Sequence, residues 1–511
     1  MPAIELGEAL ERLVVVSRSP GGVPGAPAYG DLPQPVEAPE LPGGKAHTVA
    51  QAAVRRLLLD WGLDGPRLGR PGWNPLGALI PSGAHVLIKP NWVLHSNQSG
   101  HGLECLVTHP SFIEAVARYV ALARPSRLVI GDAPIQGCDF TALRAACGLD
   151  GMAERLRRGA GGAPGGGPGP GGTPPGTPAG VPVEIVDFRR TVLIGHKLGD
   201  PKAEDLRDQK NFVLFDLGGR SLLEPLAGQS RRFRVTMYNP DLLRRTHAPG
   251  RHQYLVAREA IEADVVVNLP KLKSHKKTCI TGALKNLIGI NGNKEYLPHH
   301  RKGGQLRGGD CYPGGSWLKG RAEDLLDLAN RRRPGMLQRL FARAADLVRR
   351  GAVELGENGD LEGSWHGNDT VWRTCLDLQR ILRYGRADGT LSDSPQRLVL
   401  TITDAIVGGE GEGPLANTPV PSGFVAGGLN PAAVEWVQAR LMGFDPARIA
   451  LTREAFGAFP YPLVGFSASD IQARQDGLDV PLEKVCPLDG RAFLPPSGWR
   501  GHCELQTATA G

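Results

Sequence analysis

Residues 263–290 read ADVVVNLPKLKSHKKTCITGALKNLIGI, and this stretch decides the fold. Residues 264–268 (DVVVN) form a run of β-branched side chains, which is typical of a strand buried on both faces of a parallel sheet. A polar segment, residues 270–275, follows at once, and residues 278–291 predict a glycine-containing turn that enters a short helix. The stretch therefore predicts a core strand that ends in a concentration of basic side chains.

Three further apolar runs share this character and alternate with segments of helical periodicity. Short strands that alternate with helices are typical of parallel sheets that carry helices on both faces. We therefore predict the α/β fold class, with mainly parallel sheets. The further strands are predicted at residues 84–88, 127–131 and 397–403.

Two of the predicted helices have recognisable end signals. Ser111, with Glu114 three residues later, predicts a capping box at the start of the helix between the first two strands. Asn430 followed by Pro431 predicts the start of another helix, and Gly443 predicts its end.

Glycine and proline are unevenly distributed along the 511 residues. Residues 159–180 hold 11 Gly and 6 Pro, a composition that cannot bury enough apolar surface to offset the entropy of ordering, so we predict a disordered insert there. The predicted organisation is an irregular N-terminal segment at 1–45, a first part of the α/β core at 46–320, a helical insertion at 321–395, a second part of the core at 396–460 and a C-terminal tail at 461–511.

The net charge and the spacing of the cysteines argue against several classes of protein. The net charge of +7 is modest for this length and does not by itself indicate nucleic-acid binding. The eight cysteines include no C-x-x-C pair, which argues against an iron–sulfur cluster or a zinc ribbon. The first twenty residues lack the pattern of a secretion signal, and no apolar run reaches the ~20 residues of a membrane helix. We expect a cytoplasmic protein with no membrane partner.

A polar motif follows each of the four predicted strands. Ligands of open α/β sheets bind at the carboxyl ends of the strands, so we expect the four motifs to converge on one crevice. For any single motif, the alternative is a polar loop that only meets solvent. The motifs are residues 89–91, 132–134, 270–275, and Asp404 with the glycine-rich segment 408–414.

The densest signal is the basic window 271–302, which holds eight lysine and arginine residues, three histidines and the single acid Glu295. Such an excess favours an anionic ligand over a self-neutralised surface, although a solvated lysine face is the alternative. Extended backbone would place Lys271, Lys273 and His275 on one side, and the free N–H groups of the following helix would add to anion binding. We predict His275 and Lys285 as catalytic residues, and Lys89, Asn91, Lys271, Lys273 and Asn286 as substrate-binding residues.

Acidic residues supply candidate metal ligands. Asp404, Glu410 and Glu412 belong to the glycine-rich segment, which we predict as a loop. Carboxylates there could hold a divalent cation, transfer protons, or only pair with the lysines. Asp132 is a ligand, a base or a helix cap on the same reasoning. A divalent metal is thus a candidate cofactor, with Asp132, Asp404, Glu410, His299 and His300 as candidate ligands.

The chain resembles a known family at these residues. Residues 263–290, together with VLIKPN (86–91), THP (108–110), GDAP (131–134) and GEGEGP (409–414), resemble the domain of unknown function 362 family. Some members of that family are described as iron–sulfur proteins, but they carry an appended cysteine module that has no counterpart here. The resemblance implies no particular reaction.

A more remote resemblance is to the nickel-pincer lactate racemase family. That family has a strand, a histidine, a glycine-rich turn with a lysine ten residues later and a further histidine. His275, Lys285, and His299 or His300 fit this order, although Leu284 and Ala283 stand where a double glycine precedes the lysine. The resemblance implies an acid/base role for the first histidine, attachment of the cofactor to the lysine and nickel ligation by the later histidine.

Three functions follow from these observations. We favour an enzyme that uses acid/base chemistry, of the isomerase or lyase type, on a small carboxylate or phosphate at a Lys/His-rich cleft, with a divalent metal as an optional aid. A nucleic-acid-binding protein is the first alternative, and it would use residues 331–333 and 349–350 as well. The aromatic content of 6%, with no aromatic residues interleaved among the lysines, disfavours it. A redox or metal carrier is the second alternative.

Overall fold

The computed structural model describes residues 7–20, 28–41, 43–158, 182–194, 202–235, 238–332, 335–355 and 361–506. The insert predicted at residues 159–180 lies outside these ranges.

The α-helices of the described chain differ widely in length, from single turns to the 19 residues of α10. They are α1 (Glu8–Arg12), α2 (Val49–Trp61), α3 (Pro110–Leu122), α4 (Phe140–Ala146), α5 (Leu149–Arg158), α6 (Pro240–Thr246), α7 (Arg258–Glu262), α8 (Ala283–Asn286), α9 (Trp317–Asn330), α10 (Met336–Glu354), α11 (Val371–Tyr384), α12 (Pro431–Leu441) and α13 (Ala450–Glu454).

The strands form one large sheet and several small ribbons. They are β1 (Leu13–Arg18), β2 (Asp31–Glu37), β3 (Lys45–Thr48), β4 (His85–Pro90), β5 (Arg127–Asp132), β6 (Val183–Asp187), β7 (Thr191–Ile194), β8 (Lys202–Asp205), β9 (Phe212–Asp216), β10 (Phe233–Arg234), β11 (His247–Ala248), β12 (Arg251–Ala257), β13 (Val265–Leu269), β14 (Lys271–His275), β15 (Cys279–Thr281), β16 (His300–Arg301), β17 (Leu398–Glu412), β18 (Ala416–Val420), β19 (Phe424–Gly428), β20 (Gln472–Gln475) and β21 (Leu478–Val480).

The large sheet has 12 strands, and its main path runs β21-β20-β1-β19-β17-β13-β4-β5-β6. The half that contains the strands predicted from sequence is parallel: β17, β13, β4, β5 and β6 pair in this order with the same direction. β19 is antiparallel to both of its neighbours, β1 and β17. The α/β prediction is confirmed.

Alternation along each central strand divides the interior into two cores, one on each face of the sheet. In β13, for example, Val265 and Val267 belong to the core that contains α2 and α3, whereas Val266 belongs to the core that contains α11 and α12. Side chains of successive strand residues point to opposite faces, so an all-apolar strand supplies both cores. Helices therefore cover the sheet on both faces.

The glycine-rich segment after Asp404 is a strand, so the prediction of a loop there is wrong. β17 continues to Glu412 because its second half has partners on both sides: Gly409 pairs with Lys273 of β14 and with Pro419 of β18. A Cβ on Gly409 would lie 2.5 Å from the Cys105 carbonyl oxygen and 2.9 Å from Lys273 Cβ. Glycine is required for this close packing rather than for loop flexibility.

The predicted capping box at the start of α3 is also wrong. The N-cap is His109, whose side chain accepts a hydrogen bond from the Ser111 backbone N–H, and Pro110 occupies the first helical position. Glu114 instead pairs with Arg118 and Arg155. The predicted start of α12 is confirmed, since the Asn430 side chain accepts hydrogen bonds from two backbone N–H groups of its first turn.

The ends of the chain contribute strands to the large sheet. β1 lies between β19 and β20, although residues 1–45 were expected to be irregular. β20 and β21 come from the segment expected to be a C-terminal tail. β1 pairs with β19 and β20, which lie more than 400 residues away along the chain, and local periodicity does not reveal such partners.

The segment predicted as a helical insertion divides into two parts. α9 and α10 pack against each other as a helical hairpin. α11 instead packs against the core, and its Gln379 donates a hydrogen bond to the Leu284 carbonyl beside the basic window (2.7 Å). None of the described helices is both long enough and apolar enough to cross a membrane.

We expect Gly409→Ala to destabilise the protein by about 1–3 kcal/mol, because the added methyl group meets backbone and a packed strand neighbour. Gly65→Ala is the matched control: a Cβ there meets no atom within 4 Å, so we expect a change within about 0.5 kcal/mol. Urea denaturation followed by circular dichroism measures both. Equal midpoints for the two variants would contradict the strand assignment.

Candidate functional site

A cavity of about 990 Å³, which we call the main cavity, lies at the carboxyl ends of the parallel strands. All four polar motifs contribute to its wall, so residues that are far apart in sequence meet there. Their contributions are Asn91; Asp132 to Pro134; Lys273 and His275; and Glu412 to Pro414.

The wall of the main cavity is strongly cationic. Its lysines and arginine outnumber its carboxylates by six to three. Two of the lysines already have glutamate partners. Lys276 forms an ion pair with Glu412 (3.1 Å), and the Lys277 amine donates a hydrogen bond to the Glu362 backbone carbonyl. The cationic residues are Lys273, Lys276, Lys277, Lys285, Lys294 and Arg349, and the acidic ones are Asp132, Glu362 and Glu412.

Lys285 and Lys294 are the basic residues best placed to bind an anion. Neither amine makes a hydrogen bond or ion pair with another described residue, and both line the main cavity. Burial lowers the pKa of Lys285 and lowers the pKa of Lys294 to about 8. An anion beside these amines would supply the counter-charge that the protein does not provide.

Lys273 reaches the same cavity but is partly satisfied. Its amine donates to the Leu106 carbonyl, and burial lowers its pKa well below the usual lysine value. Both effects follow from its place in β14, where the strand is buried on both sides.

Two histidines line the main cavity in opposite tautomers. The Lys277 backbone N–H donates to His275 Nδ1 (3.0 Å), so neutral His275 carries its proton on Nε2. His299 Nδ1 lies 2.6 Å from the Leu297 carbonyl and must donate, so its Nε2 holds a free lone pair. Burial and neighbouring lysines lower the pKa of both imidazoles well below 6.5, which keeps both rings neutral. His275 can therefore donate a hydrogen bond from Nε2–H, while His299 can accept a proton at Nε2.

A buried ion pair joins the first two strand ends. Lys89 Nζ lies 2.7 Å from Asp132 Oδ1, and Asp132 Oδ2 accepts the Trp92 backbone N–H (2.6 Å). Lys89 also donates to Asn286 Oδ1 (3.1 Å), which ties α8 to the sheet. Burial lowers the pKa of Lys89 and raises that of Asp132, while each partner opposes the shift of the other. Lys89 does not line the cavity, and it supports Asp132 there.

Asn286 and Asn91 complete this support. The Asn286 amide donates to Asn268 Oδ1 (2.8 Å) and its oxygen accepts from Asn91 Nδ2 (3.1 Å). Asn286 therefore uses its hydrogen-bonding capacity within the protein. Asn91 Oδ1, by contrast, is buried without a partner among the described residues.

Lys271 and Asp404 form a second buried ion pair, which does not line the main cavity. Lys271 Nζ lies 2.7 Å from Asp404 Oδ2, and Tyr29 OH donates to Asp404 Oδ1 (2.6 Å). The pairing of β14 with β17 has a register shift between Lys271 and Lys273. Of the three side chains expected on one side of the extended segment, Lys273 and His275 line the main cavity and Lys271 does not.

The two N–H groups expected to bind an anion at the start of α8 are occupied. The Ala283 N–H donates to Gln438 Oε1 (3.0 Å) and the Leu284 N–H donates to Glu435 Oε2 (2.9 Å). Glu435 and Gln438 lie on α12, which packs against this turn. Protein side chains thus take the place that the sequence suggested for a ligand, and the prediction that these N–H groups bind an anion is wrong.

The five predicted metal ligands do not form one ligand set within the described residues. Asp132 and Asp404 are each paired with a lysine, and Glu410 is held by Arg491 and by the Leu494 backbone N–H of the C-terminal segment (2.8 Å). His299 lines the main cavity, whereas His300 lines a separate, smaller one.

The sequence also missed several polar residues of the wall. Buried polar atoms without a partner among the described residues line the main cavity, and single Gln, Trp, Tyr or Thr residues give no motif that would reveal them. Asn91 Oδ1 was the one such atom on a predicted site residue. The others are Trp92 Nε1, both amide atoms of Gln136, Tyr238 OH and Thr281 Oγ1.

Three arginines of the nucleic-acid alternative have carboxylate partners. Arg331 pairs with Asp241 (3.1 Å), and Arg349 and Arg350 both pair with Asp346 (2.7 and 2.8 Å). Because Arg349 and Arg350 share one aspartate, their helix keeps part of its positive charge.

The comparison with family models identifies the chain. The model for the domain of unknown function DUF362 matches residues 86–160 and 230–440, more than half of the sequence and all of the basic window. The chain belongs to the DUF362 family. The resemblance stated from the sequence motifs is confirmed.

Two individual proteins are similar to this DUF362 protein in part. It is 44% identical over 50 residues to the thylakoid-associated protein sll1697 of Synechocystis sp., a match that covers 10% of the present chain and 16% of that relative. A crystal structure of a Thermotoga maritima protein is similar at 12% identity and a TM-score of 0.26, with 67% of this chain and 51% of that chain covered.

The structure of the DUF362 protein shows where the positions that resemble lactate racemase lie. His275, Lys285 and His299 line the main cavity together, whereas His300 does not. The spacing of these residues in sequence thus corresponds to a shared location.

We expect Asp132→Asn to destabilise the DUF362 protein by about 3–5 kcal/mol, because Lys89 would remain buried without a counter-charge. The double variant Lys89→Met/Asp132→Asn removes that charge and keeps an acceptor for the Trp92 N–H, so we expect it to be more stable than the single variant. Chemical denaturation measures both. Additive or greater destabilisation in the double variant would contradict the pairing.

Proposed function

We propose that this protein is an enzyme that performs acid/base chemistry on a small anionic substrate in the main cavity. The observation that carries the proposal is the pair of neutral histidines in opposite tautomers, His275 and His299, beside two amines without protein partners. These groups are typical of proton transfer at a carbon or oxygen next to an anion.

Binding comes first in the proposed mechanism. A carboxylate or phosphate would pair with Lys285 and Lys294, whose amines lack other partners. Lys285 is buried and Lys294 is half-buried, so each charge interaction is stronger than on an exposed surface. The lysines would also stabilise negative charge that develops when a proton is removed.

Proton transfer would follow. His299 Nε2 accepts a proton from the substrate and becomes an imidazolium, while the neutral His275 ring donates a hydrogen bond from Nε2–H to the substrate oxygen on which negative charge develops. His299 then returns the proton to the substrate, and its depressed pKa favours that return. Isomerisation, epimerisation and elimination are the reaction classes that such an exchange supports.

The size of the cavity and its unpartnered atoms limit the substrate. About 990 Å³ lies at the upper end of ordinary ligand sites, which leaves room for more than a two- or three-carbon acid. Gln136, Tyr238 and Thr281 offer hydrogen bonds that the protein leaves unused. The proposed substrate therefore carries hydroxyl or carbonyl groups in addition to its anionic group.

We place this activity in the cytoplasm. All eight cysteines are free thiols, and seven of them are buried, which suits a reducing compartment.

We expect the wild-type protein to exchange a substrate hydrogen with solvent. The purified full chain is incubated in D₂O with a panel of hydroxy acids, dicarboxylic acids and sugar phosphates, and ¹H NMR records loss of the C–H signal. His275→Asn keeps an acceptor for the Lys277 N–H but removes the Nε2–H donor to the developing negative charge, so the rate should fall by about 10²–10³-fold. Lys285→Met should lower kcat/KM by about 10²–10³-fold.

His47→Gln is the control, since His47 is exposed and does not line the main cavity. Circular dichroism must show that all variants are folded. Wild-type exchange rates in both folded variants, His275→Asn and Lys285→Met, would refute the proposed chemistry.

Anion affinity should depend on pH through Lys294. With a pKa of about 8, the Lys294 amine is charged at pH 7 and neutral at pH 9. We expect the affinity for sulfate, whose own charge is constant over this range, to fall by about tenfold as pH rises from 7 to 9. Isothermal titration calorimetry measures it.

In Lys294→Met the affinity at pH 7 should already be low and the fall with pH much smaller. Lys484→Met, at an exposed lysine outside the cavity wall, should behave as wild type. An unchanged pH profile in Lys294→Met would exclude Lys294 as an anion ligand.

A further inference from the structure

A smaller cavity of about 190 Å³, the second cavity, adjoins the main cavity, and Val235, Arg349, Leu361 and Glu362 line both. The net charge of the residues that line it is opposite in sign to that of the main cavity. Four acidic residues line it, Glu323, Asp327, Asp346 and Glu362, against two arginines, Arg234 and Arg349.

Both arginines of the second cavity are paired with its acidic residues. Arg234 lies 2.8 Å from Asp327, and Arg349 lies 2.7 Å from Asp346. Glu362 lies 4.0 Å from Lys277 Nζ, so Glu323 is the lining carboxylate that has no ion pair among the described residues. The second cavity therefore favours a cation, whereas the main cavity favours an anion.

Three side chains of different chemistry meet at the second cavity. His300, Cys311 and Glu323 each place one nitrogen, sulfur or oxygen atom within 4.8 Å of the other two. His300 lies on the short strand β16 and Glu323 on α9, so separate elements bring them together. Nitrogen, thiolate and carboxylate donors are the ligands that zinc and similar ions take in proteins.

His300 gives an independent indication of a missing ligand. Its side chain is 5% exposed, and its Nδ1 atom is buried without a hydrogen-bond partner among the described residues. A buried polar atom without a partner costs free energy, and a bound cation at this nitrogen would remove that cost.

The other two side chains are held in place by backbone groups. The Gly303 N–H donates to Glu323 Oε2 (3.0 Å), and the Glu362 N–H donates to Cys311 Sγ (3.0 Å). The Cys311 S–H in turn donates a hydrogen bond to the Glu323 carboxylate. A metal ion between sulfur and oxygen would occupy the place of this shared proton.

We propose that His300, Cys311 and Glu323 bind a divalent transition-metal ion of the zinc class, with a fourth coordination position open to the second cavity. On binding, the Cys311 S–H bond breaks, its proton leaves to solvent, and the thiolate forms a bond to the metal without any change of oxidation state. Three protein ligands and one open position are typical of an exchangeable rather than a closed structural site. The proposed site is independent of the acid/base function of the main cavity.

Cobalt(II) is the probe that tests this site. We expect the untagged full chain, after treatment with chelator, to bind one equivalent of Co²⁺ with a thiolate-to-cobalt charge-transfer absorption band. Cys311→Ser should abolish that band. Glu323→Gln still accepts the Gly303 N–H and should lower the affinity by more than about tenfold. Thermal unfolding should shift upward with Co²⁺ in the wild type only.

Two further variants locate the metal. Cys147→Ser changes another buried cysteine outside the cluster and should retain the band. His275→Asn alters the main cavity and should also retain it, which separates the two sites. The proposal is overturned if the wild type gives no thiolate band, or if Glu323→Gln, confirmed as folded, binds Co²⁺ with wild-type affinity.

Discussion

The buried ion pair between Lys89 and Asp132 is the interaction on which the site depends. It crosses between β4 and β5 where these parallel strands end, and Asn286 extends it to α8. Charges in such a position are unfavourable unless each has a partner, so the pair fixes the relative positions of three elements. Gly289 lies directly against it, since a Cβ there would be 2.0 Å from Asp132 Oδ1. The wall of the main cavity is built outward from this contact.

The lysines of the basic window serve two distinct purposes, and burial alone does not tell them apart. Lys271 is as deeply buried as Lys273, but Asp404 and Tyr29 satisfy it, so it holds β14 against β17. Lys285 and Lys294 have no such partner, and the charge they present is directed at the cavity. The presence or absence of a counter-charge therefore separates structural lysines from those available to a ligand.

The two adjoining cavities of this DUF362 protein differ in the sign of the charge on their walls. His299 lines the cationic cavity and His300 the acidic one, because consecutive residues of extended backbone direct their side chains to opposite sides. The same short segment thus supplies a candidate proton-transfer group to one cavity and a candidate metal ligand to the other. Glu362 and Arg349 form part of the partition between them.

The sequence by itself determined the α/β class, the four core strands and the membership of the basic window, because apolar runs and charge excess are local properties. It predicted His275 and Lys285 as site residues, and both line the main cavity. The tertiary structure alone decided that residues 408–412 form a strand, that Lys271 is neutralised by Asp404, and that Cys311 and Glu323 lie beside His300. Each of these depends on a partner supplied by a distant part of the chain, and no local pattern records which partner a buried group will meet.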